Sequence, residues 1–264
     1  MSTLALPGSL ERVRAVTAWQ ARAYRRTWRA TITTAFLNPV FFLLSIGVLL
    51  GKLVDDGGAD LGGLTYLEFV APGLLAATAM QVAANEATFP VMAGIKWLRT
   101  YHAVVATPVR VSELVAGVLG WAALRVAVAA VVFASIAALG GAFDSPLAVL
   151  APAAALLCGM AFAAPISAFS ASLEDDTWIA AVNRFVIVPM FLFSGTFFPV
   201  DQLPAWLEPL AWATPLWHGV SLCRDLTSGG AEALTSLGHV GYLLTIAAGG
   251  AVAAVRMHER KLRP

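Results

Sequence analysis

The fold class is decided by two neighbouring runs, LVAGVLGWAALRVAVAAVVFASIAALGGAF (Leu114–Phe143) and SPLAVLAPAAALLCGMAFAAPISAFSASL (Ser145–Leu173). Arg125 is the only charged residue in either run. Each run exceeds the roughly 20 apolar residues that a helix needs to cross the hydrocarbon layer of a bilayer. The Gly140–Pro146 segment predicts a tight hairpin between them. Two adjacent transmembrane helices are therefore predicted.

The composition of the whole chain agrees with a membrane location. Of its 264 residues 59% are apolar and 12% are charged, and the mean hydropathy is +0.76. Soluble domains carry about 25% charged residues. The composition argues against a soluble globular protein, and a net charge of +1 gives no field that would attract nucleic acid.

Four further runs are long enough, or nearly long enough, to span. They are Ile32–Gly51, the uncharged residues between Glu68 and Glu86 with Ala87–Met92, Phe185–Val200 with Trp178–Asn183 before it, and Ala233–Val255. The prediction is an all-α polytopic membrane protein, residues 1–264 forming one domain of six transmembrane helices. An even number of spans places both termini on the same side.

The positive charges predict which side that is. Fourteen of the 17 Lys and Arg residues lie before the first span, between the second and third, at the start of the fifth, or after the sixth. Positive residues in short loops mark the cytoplasmic face, so both termini are predicted to be cytoplasmic. The preference for Arg over Lys, with abundant Ala and Gly, hints at a GC-rich bacterial genome and hence a bacterial plasma membrane.

Three segments outside the spans have patterns of their own. Residues 9–31 place apolar side chains at helical spacing with six Arg on other faces, which predicts an interfacial amphipathic helix or, alternatively, a simple positive flank. Residues 93–107 predict a short cytoplasmic helix before Pro108, suited to docking a soluble partner, or else an ordinary surface turn.

The third segment, residues 200–228, is too polar and Pro-rich to span and too apolar for a solvated loop. Non-helical backbone at membrane depth is tolerated only where protein or a wet cavity covers it. We therefore expect a pair of short helices that dip back into the outer leaflet, with an amphipathic outer loop as the alternative.

These features resemble the permeases of ABC-2 type transporters, in the nodulation-factor and daunorubicin-resistance branch. The resemblance rests on FSGTFFPVDQLPAWLEPLAWATPLWHGVSLCRDL (Phe193–Leu226), ATPV (Ala106–Val109) and FVAPGLLA (Phe69–Ala76). It implies an N-terminal elbow helix at 9–31, a coupling helix at 93–107 and re-entrant outer helices at 200–228. Many relatives are more acidic at the coupling helix, whereas Lys96, Trp97 and Arg99 make this one basic.

The same resemblance implies partners and a role. Two permease copies, or this chain and a paralogous permease, would pair with two ATPase subunits in the lipid membrane. This sequence contains no GxxxxGK[ST] phosphate loop, so ATP and Mg²⁺ are expected on the separate ATPase and no cofactor on this chain. The implied function is ATP-driven export of an amphipathic or lipid-like substrate: a drug, a lipid or a lipid-linked glycan.

Two sets of site residues follow. The ATPase-coupling set is Ile95, Lys96, Trp97, Leu98, Arg99, Tyr101 and His102. The set for the substrate path or dimer interface is Asn38, Phe41, Glu86, Arg125, Phe193 and Phe197. Arg125 lies about 13 residues into the third span, where a charge costs at least about 2.5 kcal/mol, so it should face the bundle interior or another subunit. Glu86 lies nearer the cytoplasmic end of the second span, and the predicted boundaries do not bring the two to one depth.

Other polar residues give weaker signals. Glu174, Asp175 and Asp176 form either a solvated turn, neutralised by nearby Arg184, or a second ATPase contact. His218 falls in the segment 200–228, and His102, His239 and His258 are scattered in sequence; no spacing suggests a catalytic triad or a metal site. The sequence therefore argues against a lipid-modifying enzyme. A secondary transporter independent of any ATPase, or a membrane assembly factor, remains the alternative to an exporter.

Overall fold

The computed structural model describes residues 8–25, 41, 43–45, 51–57, 61 and 63–263. Asn38, most of the predicted first span and residues 26–31 of the predicted elbow helix lie outside these residues. Within the described ranges the regular secondary structure is entirely helical. This confirms an all-α fold.

Twelve α-helices occur in the described part of the chain. They are α1 (Ser9–Tyr24), α2 (Gly51–Asp56), α3 (Tyr66–Ala87), α4 (Phe89–Met92), α5 (Thr100–Val105), α6 (Val111–Leu139), α7 (Ala151–Ser172), α8 (Thr177–Val182), α9 (Val188–Phe193), α10 (Glu208–Trp212), α11 (Pro215–Ser228) and α12 (Ala233–Leu262). Ala93–Trp97 and Asn183–Ile187 are π-helical, and Pro146–Leu150 and Val200–Gln202 are 3₁₀-helical.

Four continuous helical stretches in the described residues are long and apolar enough to cross a membrane. They are Tyr66–Trp97 of 32 residues, Val111–Leu139 of 29, Pro146–Ser172 of 27 and Ala233–Leu262 of 30. They correspond to the predicted second, third, fourth and sixth spans. Thr177–Phe193 is a shorter apolar helix at the predicted fifth span. The protein is therefore a polytopic membrane protein.

Some predicted boundaries were wrong. The second span reaches Trp97 rather than Met92, and the sixth reaches Leu262 rather than Val255. Charged residues at the ends of both helices hid these helical extensions. The fifth ends at Phe193 instead of Val200, because Gly195 adopts a positive φ of 78° and Pro199 follows.

The centre of the bundle is α7, which packs against α3, α6, α11 and α12. Small residues make these contacts close. A Cβ at Gly159 would lie 2.7 Å from Val126 of α6 and 3.1 Å from the Ala79 carbonyl of α3, and one at Gly250 of α12 would lie 2.5 Å from Pro165. Association of membrane helices relies on such close packing, since apolar burial gives little gain in lipid.

The first helix follows the N-terminal half of α6. Arg12 binds Glu113, Val16 packs on Gly117, and the Tyr24 ring lies over Arg125. Contacts that advance together along both helices show that α1 runs alongside α6 rather than crossing it at one point.

Candidate functional site

A charge pair lies inside the bundle between α3 and α6. Arg125 Nε donates to Glu86 Oε1 at 3.0 Å, and Trp121 Nε1 donates to Glu86 Oε2 at 3.1 Å. The Arg125 guanidinium carbon lies 4.1 Å from the centre of the Tyr24 ring. Both charged side chains are about 15% exposed. The pair thus neutralises two charges that would each be costly alone in a membrane.

A direct Glu86–Arg125 pair was one hypothesis from the sequence, but the predicted boundaries did not bring the two residues to one depth; the structure shows the pair. The second span continues to Trp97, so Glu86 lies eleven residues before the end of that helix, and Arg125 lies fourteen residues after the start of α6 at Val111. At 1.5 Å per residue these positions differ by about 5 Å. The long Arg side chain covers that difference.

A second ion pair joins α1 to the N-terminal end of α6. Arg12 donates through Nε at 2.8 Å and Nη2 at 2.7 Å to the two carboxylate oxygens of Glu113. This two-point geometry is the strongest that an Arg and a carboxylate form. The hydrogen bond to Glu113 raises the pKa of Arg12, so the guanidinium stays charged at any physiological pH.

The predicted coupling segment has two parts. Ala93–Trp97 continues the second span, Arg99 takes a left-handed conformation with φ 51°, and α5 follows as a separate short helix. Trp97 and Leu98 are 54% and 71% exposed. Arg99 is exposed, while Lys96 and His102 are half-buried.

Ile95 and Tyr101 of this segment are buried. Tyr101 contacts Trp19 of α1 edge to face at 6.5 Å and lies 6.0 Å from His258 of α12. A Cβ at Gly94 would lie 2.5 Å from the Tyr101 ring. Tyr101 thus lies in a small core beside the end of the second span, which we call the junction core. Its buried members are Val16, Val91, Ile95, Tyr101, Leu114, Val118, Ala171 and Leu262.

At the surface of the junction core, Glu174 links the end of the second span to α12 through two lysines. Its carboxylate accepts a hydrogen bond from Lys261 Nζ of α12 and lies 3.6 Å from Lys96 Nζ. Lys261 first, and then Lys96, lowers the pKa of Glu174. The expected neutralisation by Arg184 was wrong: α12 is longer than predicted and brings Lys261 to this loop.

On the opposite side, α10 and α11 form the segment predicted to be re-entrant. Arg224 of α11 donates to the Phe69 carbonyl at 3.1 Å and to the Gly195 carbonyl at 2.8 Å, and it stacks on the Phe69 ring. It therefore fastens α11 to the start of α3 and to the chain that follows α9.

Among the described residues, the three phenylalanines predicted for the substrate path or dimer interface make no ring contact with one another. Phe193 ends α9 and is 40% exposed, and Phe41 is 58% exposed. Phe197 is half-buried and packs edge to face on Phe191 at 5.0 Å.

His218 and His239, whose spacing in the sequence suggests no pairing, are in contact. His218 Nδ1 lies 2.8 Å from His239 Nδ1, and Tyr242 stacks on His218 with ring centres 3.9 Å apart. The turn after α11 folds α12 back beside it, which joins positions 21 residues apart. Within the described residues, no cluster of three or more His, Cys, Asp or Glu could hold a metal ion.

Sequence reasoning missed a polar recess between the second and fifth spans. Gln81, Asn85 and Asn183 line a cavity of about 170 Å³ together with Ile187 and Phe191. All three carboxamide residues are exposed. The missed signal was simple: uncharged polar residues within runs that were read only for their lack of charge.

A known family accounts for this arrangement of helices and junction. The sequence model of the ABC-2 type transporter family matches residues 11–227. The chain belongs to the ABC-2 type transporter family. Members of this family are transmembrane transport subunits, and they normally work with an ABC ATPase partner.

Individual relatives agree with the family assignment. Nodulation protein J of Rhizobium meliloti (strain 1021) is 28% identical over 92% of this chain and 90% of its own length. Nodulation protein J of Rhizobium leguminosarum bv. viciae is 31% identical over 84% and 83%. The inner membrane transport permease YadH of Escherichia coli (strain K12) is 23% identical over 79% and 80%.

Proposed function

We propose that this chain is the transmembrane permease of an ATP-driven exporter. It acts as a homodimer, or with a paralogous permease, together with two copies of an ABC ATPase that binds ATP and Mg²⁺. It has six transmembrane helices and cytoplasmic termini in a bacterial plasma membrane. The observation that carries the proposal is the family match over residues 11–227. This range includes the coupling segment, residues 93–107, and nearly all of the outer segment, residues 200–228.

Energy enters at the coupling segment. Trp97 and Leu98 are large apolar side chains exposed beside the end of the second span. In the proposal they contact the ATPase, and Lys96, Arg99 and His102 supply polar contacts around them. A buried aromatic or apolar centre with a polar rim is the usual composition of a protein interface.

Tyr101 and Ile95 transmit the movement instead of touching the ATPase. Both are buried in the junction core, where Tyr101 contacts α1 and α12. Packed side chains resist compression, so displacement of the coupling segment moves α1, α6 and α12 together.

The substrate passes between spans one, two and five, near the proposed dimer interface. Asn38, Phe41, Phe193 and Phe197 belong to this path or interface, and the Glu86–Arg125 pair holds the second and third spans in register behind it. The substrate is an amphipathic drug, lipid or lipid-linked glycan. The names of the relatives, nodulation proteins and an inner membrane transport permease, support transport without fixing the cargo.

The test is capture of the ATPase by the tagged permease. A phosphate-loop ATPase co-expressed with the wild-type chain is expected to co-purify with it. Leu98→Asp should abolish capture, because it places an unpaired charge at the apolar contact. Leu10→Asp is the matched control, since Leu10 is 63% exposed on α1 and lies outside the contact. Transport that proceeds with no ATPase would favour a secondary transporter and reject the proposal.

A further inference from the structure

The three carboxamides of the recess lie where a membrane protein is normally apolar. Gln81 is fifteen residues from the start of the 32-residue second span and sixteen from its end, and Asn85 lies one helical turn closer to the cytoplasm. Asn183 lies six residues into the helix Thr177–Phe193. A polar side chain at such depth faces protein, water or cargo, because hydrocarbon offers it no hydrogen bond.

None of the three carboxamides makes a side-chain hydrogen bond to any of the described residues. Each carries two N–H donors and a carbonyl acceptor. Both i,i+4 partners Gln81 and Asn85 are exposed on one face of α3, and Asn183 is exposed opposite them. The hydrogen-bonding capacity of this face is therefore unused among the residues that the structure describes.

The shape and charge of the recess restrict what it binds. Residues from two helices line it, so it is concave, and its volume accommodates several water molecules or one small polar group. Glu86, the acid next to Asn85, is already paired with Arg125, and Arg184 does not line the recess. The site is neutral, and its N–H donors are matched in number only because each carbonyl oxygen can accept two hydrogen bonds.

Beside the carboxamides the recess becomes apolar. Ile187, Val188 and Phe191 line it on the fifth span, and Phe191 lies two helical turns beyond Asn183 toward the outer end. A ligand that fits both parts has a neutral hydrogen-bonding head and an apolar chain.

We propose that Gln81, Asn85 and Asn183 form a recognition site for the neutral hydroxyl- or amide-bearing head group of the amphipathic cargo, with Ile187 and Phe191 holding the start of its apolar chain. This inference rests on the proposed transport function and adds a cargo class to it. A cationic head group would leave the carboxamide N–H donors unpaired and would bind less tightly.

The test compares two photoreactive probes with the same diazirine-bearing dodecyl chain. One has a β-D-glucoside head and the other a trimethylammonium head. The permease with its captured ATPase is placed in lipid nanodiscs, and labelling is measured by titration and mapped by mass spectrometry. The glucoside is expected to label Tyr66–Trp97 and Thr177–Phe193 in preference to the ammonium probe.

The double variant Asn85→Leu/Asn183→Leu should lower the preference for the glucoside by roughly tenfold or more, as loss of two hydrogen bonds predicts. Gln202→Leu, which removes an exposed carboxamide from the outer segment, should leave the preference unchanged. Asn85→Ala/Asn183→Ala serves as the second variant if the leucine pair gives no folded complex.

Two results would overturn the inference. One is an equal preference in the double variant and the wild type. The other is separation of two permease copies by the double variant, measured by light scattering, which would assign the carboxamides to a contact between copies. ATPase capture is scored separately in each sample, so a failed cargo site is distinguished from a failed transport function.

Discussion

At the scale of single residues, the Glu86–Arg125 pair gives the sharpest prediction. Removing one partner leaves the other charge buried and unpaired, which costs about 3 kcal/mol or more, whereas replacing both with apolar residues is close to neutral. Arg125→Leu should therefore lower the unfolding temperature in detergent clearly, and Glu86→Leu/Arg125→Leu should recover most of the loss. Equal unfolding temperatures for Arg125→Leu and the wild type would contradict the pairing.

Functional assays distinguish a role of Arg125 in dimerisation or transport from a purely structural role. If Arg125 supports the dimer or the substrate path, Arg125→Ala should impair dimerisation or export even where the protein folds. An Arg125→Ala protein that folds, dimerises and exports normally would remove both roles and leave Arg125 as a charge partner only.

Glu174 provides a prediction about pH. Lys261 and Lys96 lower its pKa below the ordinary value of 4.5, so its contacts stabilise the folded chain above that value and are lost as pH falls through the lowered pKa. The protection of amides near the end of α12, measured against the intrinsic exchange rate at each pH, should fall as the pH drops below 4.5. Glu174→Gln should remove that pH dependence, and Asp176→Asn should keep it. A pH dependence that survives Glu174→Gln would show that another group controls the contact.

At the scale of helices, glycine contacts test the packing around α7. A Cβ at Gly250 would lie 2.5 Å from Pro165, whereas one at Gly241 of the same helix meets nothing within 4 Å. Overpacking costs about 1–3 kcal/mol. Gly250→Ala should therefore destabilise the protein in thermal unfolding, and Gly241→Ala should not. Equal changes of unfolding temperature in the two variants would show that α12 does not pack on α7 through Gly250.

Tyr101 tests the junction core as a transmission element. Tyr101→Leu keeps an apolar side chain but loses the aromatic contacts with Trp19 and His258, so the complex should assemble while ATP hydrolysis no longer drives transport. Tyr101→Phe keeps the ring and should preserve coupling. The measurement is the ratio of transport to hydrolysis in proteoliposomes, and an unchanged ratio in Tyr101→Leu would reject this role.

Also at this scale, sequence and structure differ in instructive ways. Hydrophobic run length located the spans, because the bilayer demands a fixed number of apolar residues. It misplaced the ends of the second and sixth spans, since Lys96 and Lys261 are charged yet helical. The helical turns beyond the predicted ends place Glu86 at nearly the depth of Arg125 and bring Lys261 to Glu174. Contacts between elements could therefore not be predicted from the apolar runs alone.

At the scale of the whole molecule, the chain is an ABC-2 family membrane protein whose long helices surround α7. Motifs in the sequence were sufficient for the family, because the outer segment Phe193–Leu226 has a composition that neither spans nor solvated loops share. The polar recess and the His218–His239 contact depend on how distant segments meet. Neither the recess nor the contact produces a pattern of residue spacing that could be recognised in the sequence.

The central claim is that an ATPase binds the cytoplasmic junction and drives this membrane domain. Hydrogen–deuterium exchange of the permease with and without its ATPase tests that claim most directly. Added ATPase should protect the amides of residues 93–107, and Leu98→Asp should abolish the protection. Protection of residues 200–228 instead, or unchanged exchange at 93–107 with the ATPase bound, would contradict the account.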